Sequence, residues 1–170
     1  MEKTELRIRI YPDQVLRKRS LLVKEVTGRH RDILSSMARL MYEGDGVGLA
    51  APQAGINETM IVVDIGSGLY KLINPKIIEV SGRQVNQEGC LSVPGVCVKV
   101  KRARKVRVKA LDEYGKNIEI QAQDLLACVL QHEIDHLKGR LIIDYAHFFE
   151  RLKIGKALKK LNTKTCQLNL

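Results

Sequence analysis

Two histidines four residues apart, His132 and His136, lie in the segment QHEIDH, and Glu133 directly follows the first of them. On a helix, residues four apart share a face, so both imidazoles can occupy corners of one metal site. Glu133 could then act as a base towards a metal-bound water. The alternative is a solvated polar helix without an ion, because H-E-x-x-H strings also occur by chance. The motif alone leaves these two interpretations open.

A third ligand would favour the metal site, because catalytic zinc centres typically hold about three protein ligands and a water. Cys90 lies in EGCLSVPG, where Gly89 and Pro94 indicate a shaped turn between strand-like segments. Cys128 lies in the apolar run LLACVL and is better interpreted as a small buried side chain. The same run predicts a buried helix, in which His132 needs a hydrogen-bonding or metal partner.

The elements around these residues predict an α+β domain. Apolar residues at helical spacing between 27 and 43 predict a helix, with Thr27 as its cap. GDGVGLAAPQAG is rich in glycine and is interpreted as a loop. From MIVVDI to EIQA, short β-rich runs alternate with turn signals, which predicts a mainly antiparallel sheet region.

The second half of the pattern places the histidines on a central helix. Asp124 is predicted to cap this helix, which would run through Lys138 and end at Gly139. A strand over RLIID and a basic helix from about Phe148 would follow. The predicted architecture is therefore small, mainly antiparallel sheets packed around a metal-binding helix, with a C-terminal helix.

Composition limits the class of protein. The chain has 170 residues, of which 45% are hydrophobic, and this fits one compact domain. Its 29 basic and 19 acidic residues give a net charge of +10, which favours an anionic partner. The N-terminal segment has no apolar signal core, and no apolar run approaches the ~18 residues of a membrane helix. We therefore expect a cytoplasmic protein with reduced thiols and no membrane contact.

Three motifs resemble the signatures of peptide deformylases: GVGLAAPQ (46–53), EGCLS (88–92) and QHEIDHLKG (131–139). They occur in the family's order, over about residues 10–145, and are most similar to the bacterial type. The resemblance implies a metal-dependent hydrolase that removes the formyl group from N-formylmethionyl nascent polypeptides and releases formate. We expect a catalytic domain over 1–147, with a basic helix and tail of the same domain over 148–170.

Carried across residue by residue, the resemblance assigns roles in hydrolysis. The implied ligands of one divalent metal ion are Cys90, His132 and His136. The family's ion is typically Fe²⁺ in the cell, with Zn²⁺, Ni²⁺ or Co²⁺ as substitutes. A metal-activated water would attack the formyl carbon while Glu133 acts as general acid and base. The Gln53 amide and the Leu91 backbone N–H would stabilise the developing oxyanion.

The resemblance also implies an apolar pocket for the methionine side chain beside the metal. The implied substrate-binding residues are Val47, Gly48, Gly89, Leu125, Cys128 and Val129, with His132 at the floor of the pocket. Ordinary core packing explains Leu125 and Val129 equally well. Relatives often carry a branched apolar residue at the position of Asn86, which leaves the polarity of the pocket rim open.

Arg102 is a candidate for a buried ion pair. Strand alternation in VCVKVKRARKVRV places it on the same face as Val98 and Val100. A buried arginine needs a carboxylate, and the resemblance suggests that Glu88 is the partner and holds the cysteine loop in place. A bend near Arg102 would instead leave it solvated, and the position of Arg104 stays open.

The C-terminal segment carries much of the excess charge, since residues from Arg151 onward include six basic and no acidic side chains. A solvated helix that docks on the domain explains this pattern. The resemblance also implies that the segment attaches to ribosomal RNA. A monomer is the favoured oligomeric state.

Two other functions explain parts of the sequence. A metallopeptidase of the H-E-x-x-H type explains the helix but gives Cys90 and the glycine-rich segment no role. A basic RNA-binding protein on an inactive scaffold explains the charge, but the presence of Glu133 and Gln53 argues against lost catalysis. The deformylase interpretation explains all three motifs and is therefore the expected function.

Overall fold

The computed structural model describes residues 6–167, with side chains described up to residue 159. Within this part of the chain the helices are α1 (Gly28–Glu43), α2 (Asp124–His136) and α3 (Phe148–Gln167). The strands are β1 (Gly48–Ala50), β2 (Met60–Val63), β3 (Tyr70–Ser81), β4 (Gln84–Glu88), β5 (Val98–Arg102), β6 (Lys105–Leu111) and β7 (Asn117–Gln123). Short 3₁₀ helices occupy Gln14–Arg17, Ala51–Ala54 and Ile142–Tyr145.

The strands form two antiparallel sheets. The larger sheet has the order β1-β2-β3-β6-β7, and β4 and β5 pair with each other as a separate two-stranded ribbon. In the ribbon, Gln84 lies opposite Arg102 and Glu88 lies opposite Val98. The prediction of an α+β domain with mainly antiparallel sheets is confirmed.

Three apolar clusters hold these elements together. The first packs α2 on the large sheet, through side chains such as Leu130 and Ile134 against Val63 and Val108. A second cluster packs α1 on the other side of that sheet. The third joins the ribbon to α3 and to the 3₁₀ helices at Gln14–Arg17 and Ile142–Tyr145. Because α2 lies between the large sheet and the ribbon, its side chains are fixed from two directions.

The first helix begins where the sequence predicts. Thr27 is the N-cap of α1, and its backbone N–H donates to Nδ1 of His30 at 3.0 Å. This bond satisfies a backbone donor that the helix itself leaves without a partner. The face of the helix that His30 shares is otherwise apolar, and Leu34, Met37 and Met41 on it are fully buried.

The predicted boundaries of α2 are wrong by one residue at its start and two at its end. Gln123, not Asp124, is the N-cap, and the helix ends at His136 with Leu137 as its C-cap. The Asp124 carboxylate does not cap the helix because it accepts a bond from Arg104 Nε at 2.8 Å. Gly139 has a φ of 72°, in the left-handed region that favours glycine after a helix.

Two other segments differ from their predictions. The glycine-rich segment is not all loop, because Gly48–Ala50 pairs with Ile61–Val63 as an edge strand of the large sheet. The segment RLIID is not a strand, because residues 142–145 form a 3₁₀ helix. Asp144 stabilises that turn by accepting bonds from the Leu141 backbone N–H at 2.9 Å and from Arg17 at 2.6 Å.

The basic helix predicted from about Phe148 is α3. Its side chains Ile154, Ala157 and Leu158 pack against the third apolar cluster. Arg151, Lys153 and Lys156 are exposed. No helix within residues 6–167 is long and apolar enough to cross a membrane.

Gly139 allows a test of the contact between the end of α2 and the N-terminal segment. A Cβ at this position would lie 2.8 Å from the carbonyl carbon of Arg17. Because the φ of Gly139 is also positive, we expect Gly139→Ala to lower the free energy of unfolding by about 1–3 kcal/mol. Chemical denaturation of the purified protein measures this change.

Gly155→Ala is the matched control, because a Cβ at position 155 meets no described atom within 4 Å outside its own helical turn. Alanine is a better helix former than glycine by roughly 0.5–1 kcal/mol, so this variant should be as stable as wild type or more stable. Equal unfolding midpoints for both variants would contradict the close contact at Gly139.

Candidate metal centre

Three candidate metal-ligand atoms converge between α2 and the ribbon. His132 Nε2 lies 3.2 Å from His136 Nε2, and His136 Nε2 lies 3.3 Å from Cys90 Sγ. All three ligand atoms lie within 4.8 Å of one another. The helix provides the two imidazoles one turn apart, and the turn after β4 provides the thiol.

This donor set fits a tetrahedral divalent ion. Bond lengths of ≈ 2.0–2.1 Å to nitrogen and ≈ 2.3 Å to sulfur place tetrahedral ligand atoms about 3.3–3.6 Å apart. The distances of 3.2 Å and 3.3 Å between the observed ligand atoms are close to that spacing. Burial lowers the pKa of His136 well below its usual value, which keeps this imidazole neutral as metal binding requires.

Glu88 orients the first histidine. Its Oε2 lies 2.9 Å from His132 Nδ1, and Arg102 binds both carboxylate oxygens, at 2.8 Å and 2.9 Å. Burial alone would raise the pKa of Glu88, but the hydrogen bonds from Arg102 and His132 outweigh burial and lower it to about 2. The carboxylate therefore stays charged and accepts a hydrogen bond from the Nδ1–H of His132, which leaves Nε2 facing Cys90 and His136.

Arg102 connects the ribbon to the helix. Besides Glu88, its guanidinium donates to Asp135 Oδ2 at 2.5 Å, and its central carbon lies 4.9 Å from the ring centroid of Tyr145. The Tyr145 hydroxyl donates to the same Asp135 oxygen at 2.6 Å. Arg102 is buried, whereas Arg104 is exposed, so the inward alternation is interrupted at position 104 and resumes at Val106.

Glu133 lies beside the cluster on the same helix. It is 3% exposed, and burial raises its pKa to about 7. Its Oε2 has no hydrogen-bond partner among residues 6–167. A Cβ on Gly48 would lie 2.9 Å from Glu133 Cδ, so the missing side chain in β1 leaves the space that this carboxylate occupies.

Gln53 presents its amide nitrogen to the cluster. Its Oε1 accepts from the Ala50 backbone N–H at 2.8 Å. Its Nε2 lies 3.4 Å from Cys90 Sγ and donates to Ser92 Oγ at 3.2 Å. The bond to Ala50 fixes which end of the amide faces the metal ligands, so the nitrogen donor lies on the side of Cys90.

A cavity of about 490 Å³ opens beside the cluster. Its walls include all the predicted substrate-binding residues, which are Val47, Gly48, Gly89, Leu125, Cys128 and Val129. Leu91 also lines the cavity. Leu125 is 55% exposed and lies at the rim, so core packing does not explain it. Val129 is 7% exposed and belongs to both the wall and the first apolar cluster.

Three contributors to the site were missed from the sequence. Asp135 lies inside the QHEIDH motif, three residues after His132, and this spacing was the available signal for a second acid on the helix. Ser92 lies in the EGCLS motif two residues after Cys90, and this short separation was the signal that its hydroxyl could contact the site. Tyr145 carries no local signal, because it joins the network only through the folding of the C-terminal segment.

Comparisons with known proteins agree with this geometry. Residues 5–151 match the family model described as polypeptide deformylase. A peptide deformylase from Syntrophomonas wolfei is 55% identical over 135 residues, which cover 79% of this chain and 89% of the relative.

Solved structures are also similar. A peptide deformylase from Legionella pneumophila is 39% identical with a TM-score of 0.88, covering 95% of this chain and 97% of that one. A peptide deformylase from Synechococcus elongatus, solved in complex with actinonin, is 40% identical with a TM-score of 0.86. That similarity covers 95% of this chain and 88% of the other.

Metal content tests the ligand set. We expect the wild-type protein, purified anaerobically with ferrous iron, to hold one equivalent of metal, and Cys90→Ala to lose most of it because a tetrahedral site loses one of its ligands. Glu133→Ala should keep the metal, since its carboxylate is not among the converging atoms. Elemental analysis by mass spectrometry measures both variants, and full occupancy in Cys90→Ala would contradict the assignment.

Stability tests the buried ion pair. Arg102→Met leaves the Glu88 carboxylate buried without its main partner, so we expect a loss of about 3–5 kcal/mol in the free energy of unfolding. The matched control is Arg104→Met, which breaks an exposed pair with Asp124 and should change the unfolding midpoint little. Similar losses in the two variants would show that burial of Arg102 is not the cause.

Proposed function

Since the chain belongs to the polypeptide deformylase family and is therefore a metal-dependent hydrolase, we propose that it removes the formyl group from the N-terminal methionine of nascent polypeptides. The observation that carries this proposal is the convergence of Cys90, His132 and His136 beside a cavity that also contains Glu133. The metallopeptidase alternative gives Cys90 no role and is not supported by these comparisons.

Cys90, His132 and His136 would hold one divalent ion. When bound, the ion supplies Lewis-acid chemistry, since it lowers the pKa of a water and polarises a carbonyl group. We propose ferrous iron as the ion in the cell, as is typical of the family. A donor set of one thiolate and two imidazoles also suits Zn²⁺, Ni²⁺ or Co²⁺.

Glu133 transfers the proton in this proposal. It accepts a proton from the attacking water and passes it to the amine nitrogen as the formyl C–N bond breaks. The water oxygen stays on the formyl carbon, which leaves as formate, and the peptide keeps a free amino group. Burial supports this role, because it raises the pKa of Glu133 to about 7 and so suits the carboxyl group to both steps.

Gln53 and Leu91 stabilise the charge that develops on the formyl oxygen. The Gln53 amide nitrogen is held in place by the bonds of its carboxamide to Ala50 and Ser92. We propose the Leu91 backbone N–H as a second donor, because Leu91 directly follows Cys90 and lines the same cavity. Donors fixed before the reaction stabilise a developing oxyanion without reorganisation.

The methionine side chain enters the cavity in this proposal. Leu125, Cys128 and Val129 would contact it from α2, while Val47, Gly48 and Gly89 would lie along the peptide backbone. β1 is an edge strand of the large sheet, so an extended peptide can lie beside it by strand addition. Backbone pairing of this kind tolerates varied side chains after the first residue.

We extend the proposal to a contact between α3 and ribosomal RNA. The apolar side of this helix packs on the domain through Ile154 and Leu158, which leaves Lys153 and Lys156 exposed. Lysines presented in this way can neutralise phosphates in a salt-dependent manner.

Formate release tests the function. The metal-loaded wild-type protein should release formate from an N-formyl-Met peptide, and Glu133→Ala should reduce kcat by about 10²–10⁴-fold because the proton transfer loses its acid and base. Glu43→Ala, at the exposed end of α1, is the matched control and should keep wild-type activity. If the metal-loaded wild-type protein releases no formate, the proposed function is wrong; full activity in Glu133→Ala would remove only the role of Glu133.

A further inference from the structure

Tyr145 lies in a turn that supplies no metal ligand, yet its side chain reaches the polar contacts behind the metal centre. It is the last residue of the 3₁₀ helix Ile142–Tyr145, which directly precedes α3. The two isoleucines of this short helix are buried in the third apolar cluster, and Asp144 pairs with Arg17. Because the turn is fixed by this packing and this ion pair, the Tyr145 side chain has a defined position against the ribbon and α2.

The contacts of this side chain meet at Arg102 and Asp135. The Tyr145 hydroxyl donates to Asp135 Oδ2 at 2.6 Å and accepts from Arg102 Nη1 at 3.4 Å. The central carbon of the Arg102 guanidinium lies 4.9 Å from the ring centroid, a distance at which an aromatic face attracts a cation. Arg102 Nη1 also donates to the same Asp135 oxygen. Tyr145 therefore contacts both the guanidinium and the carboxylate that the guanidinium binds.

Arg102 connects Tyr145 to the metal ligand His132. Its Nε and Nη2 donate to the two carboxylate oxygens of Glu88, and Glu88 Oε2 lies 2.9 Å from His132 Nδ1. The Cys128 thiol also donates to Glu88, but thiols are weak donors, so Arg102 sets the position of this carboxylate. Since the guanidinium is planar and rigid, a shift of Nη1 also moves the two nitrogens that bind Glu88.

A purely structural role is the alternative for Tyr145. Asp135 is buried, and the Tyr145 hydroxyl is one of its hydrogen-bond donors, so this contact also stabilises the fold. The exposed side chain of Arg140 makes a further hydrogen bond to the hydroxyl. A structural role alone predicts that loss of the hydroxyl lowers the free energy of unfolding and leaves metal binding unchanged. Metal affinity and stability therefore have to be measured separately.

We propose that Tyr145 is a positioning residue for His132 and that it acts through Arg102 and Glu88. This inference rests on the proposed function, in which His132 is one of the three ligands of the metal ion. The Tyr145 hydroxyl fixes Nη1 of the guanidinium, the guanidinium fixes the Glu88 carboxylate, and the carboxylate orients the imidazole. The turn before α3 thus supports the metal centre, and metal affinity depends on how the C-terminal segment is placed.

Tyr145→Phe tests this role because it keeps the ring beside Arg102 and removes only the hydroxyl. Competition with a chromophoric chelator under anaerobic conditions measures the Co²⁺ affinity of the full-length chain. Loss of a group bonded directly to a metal ligand weakens binding by about 10–100-fold, and Tyr145 acts through two further residues, so we expect about threefold to tenfold weaker binding. The visible absorption of bound Co²⁺, which reports ligand geometry, should change as well. Denaturation of the metal-free protein measures stability in parallel.

Tyr42→Phe is the matched control. The Tyr42 hydroxyl donates to Asp64 Oδ2 at 2.7 Å, so this variant also deletes a hydrogen bond between a tyrosine and an aspartate. Neither residue takes part in the polar contacts around Arg102 in the described part of the chain, and Co²⁺ affinity should stay at the wild-type value. Equal Co²⁺ affinity in wild type and Tyr145→Phe, or equal weakening in both variants, would overturn the proposal whatever happens to the unfolding midpoint.

A double-mutant cycle tests the route through Glu88. Glu88→Gln removes the charge that joins Arg102 to His132, so adding Tyr145→Phe to this variant should weaken Co²⁺ binding by less than about twofold more. Fully additive effects would show that the hydroxyl acts by another route and would overturn the proposal. Failure of the proposed function would look different, because the metal-loaded wild-type protein would then release no formate, whatever Tyr145→Phe does to Co²⁺ binding.

Discussion

The buried carboxylate of Glu88 is the interaction on which the site depends. A charge out of water costs several kcal/mol unless it is paired and hydrogen-bonded, and Glu88 meets this requirement by accepting bonds from Arg102 on β5 and His132 on α2. Because one carboxylate serves both partners, the position of the ribbon and the orientation of the imidazole are set together. Arg102 also donates to Asp135, which lies one helical turn after His132, so a second contact joins the ribbon to the helix.

The helix α2 packs against the large sheet on one side and binds the ribbon on another, because its two sides differ in chemistry. Ala127, Leu130 and Ile134 face the large sheet in the first apolar cluster. Cys128 and His132, four residues apart, face the ribbon and both contact Glu88. Each side is occupied by a different part of the fold, so the helix cannot rotate without losing either its apolar packing or its hydrogen bonds.

The sequence was most informative where chemistry is local. The spacing of His132 and His136 on one helix, the α+β class and the family were all predicted, and the comparisons confirm the family. Predictions failed where a distant residue decides the local structure. RLIID has the composition of a strand, but Asp144 within it pairs with Arg17, 127 residues away, and a 3₁₀ helix forms instead. Asp124 was predicted to cap α2, but its carboxylate accepts a hydrogen bond from Arg104 instead.

For the same reason, the sequence alone could not predict why residue 48 is a glycine. From the sequence, GDGVGLAAPQAG is interpreted as a loop, whereas the structure shows a regular edge strand in which Gly48 matters because it has no side chain. A methyl group at this position would occupy the space of the Glu133 carboxylate. The requirement arises only when β1 and α2 meet in the folded protein, and the glycine of one motif therefore makes room for the acid of another.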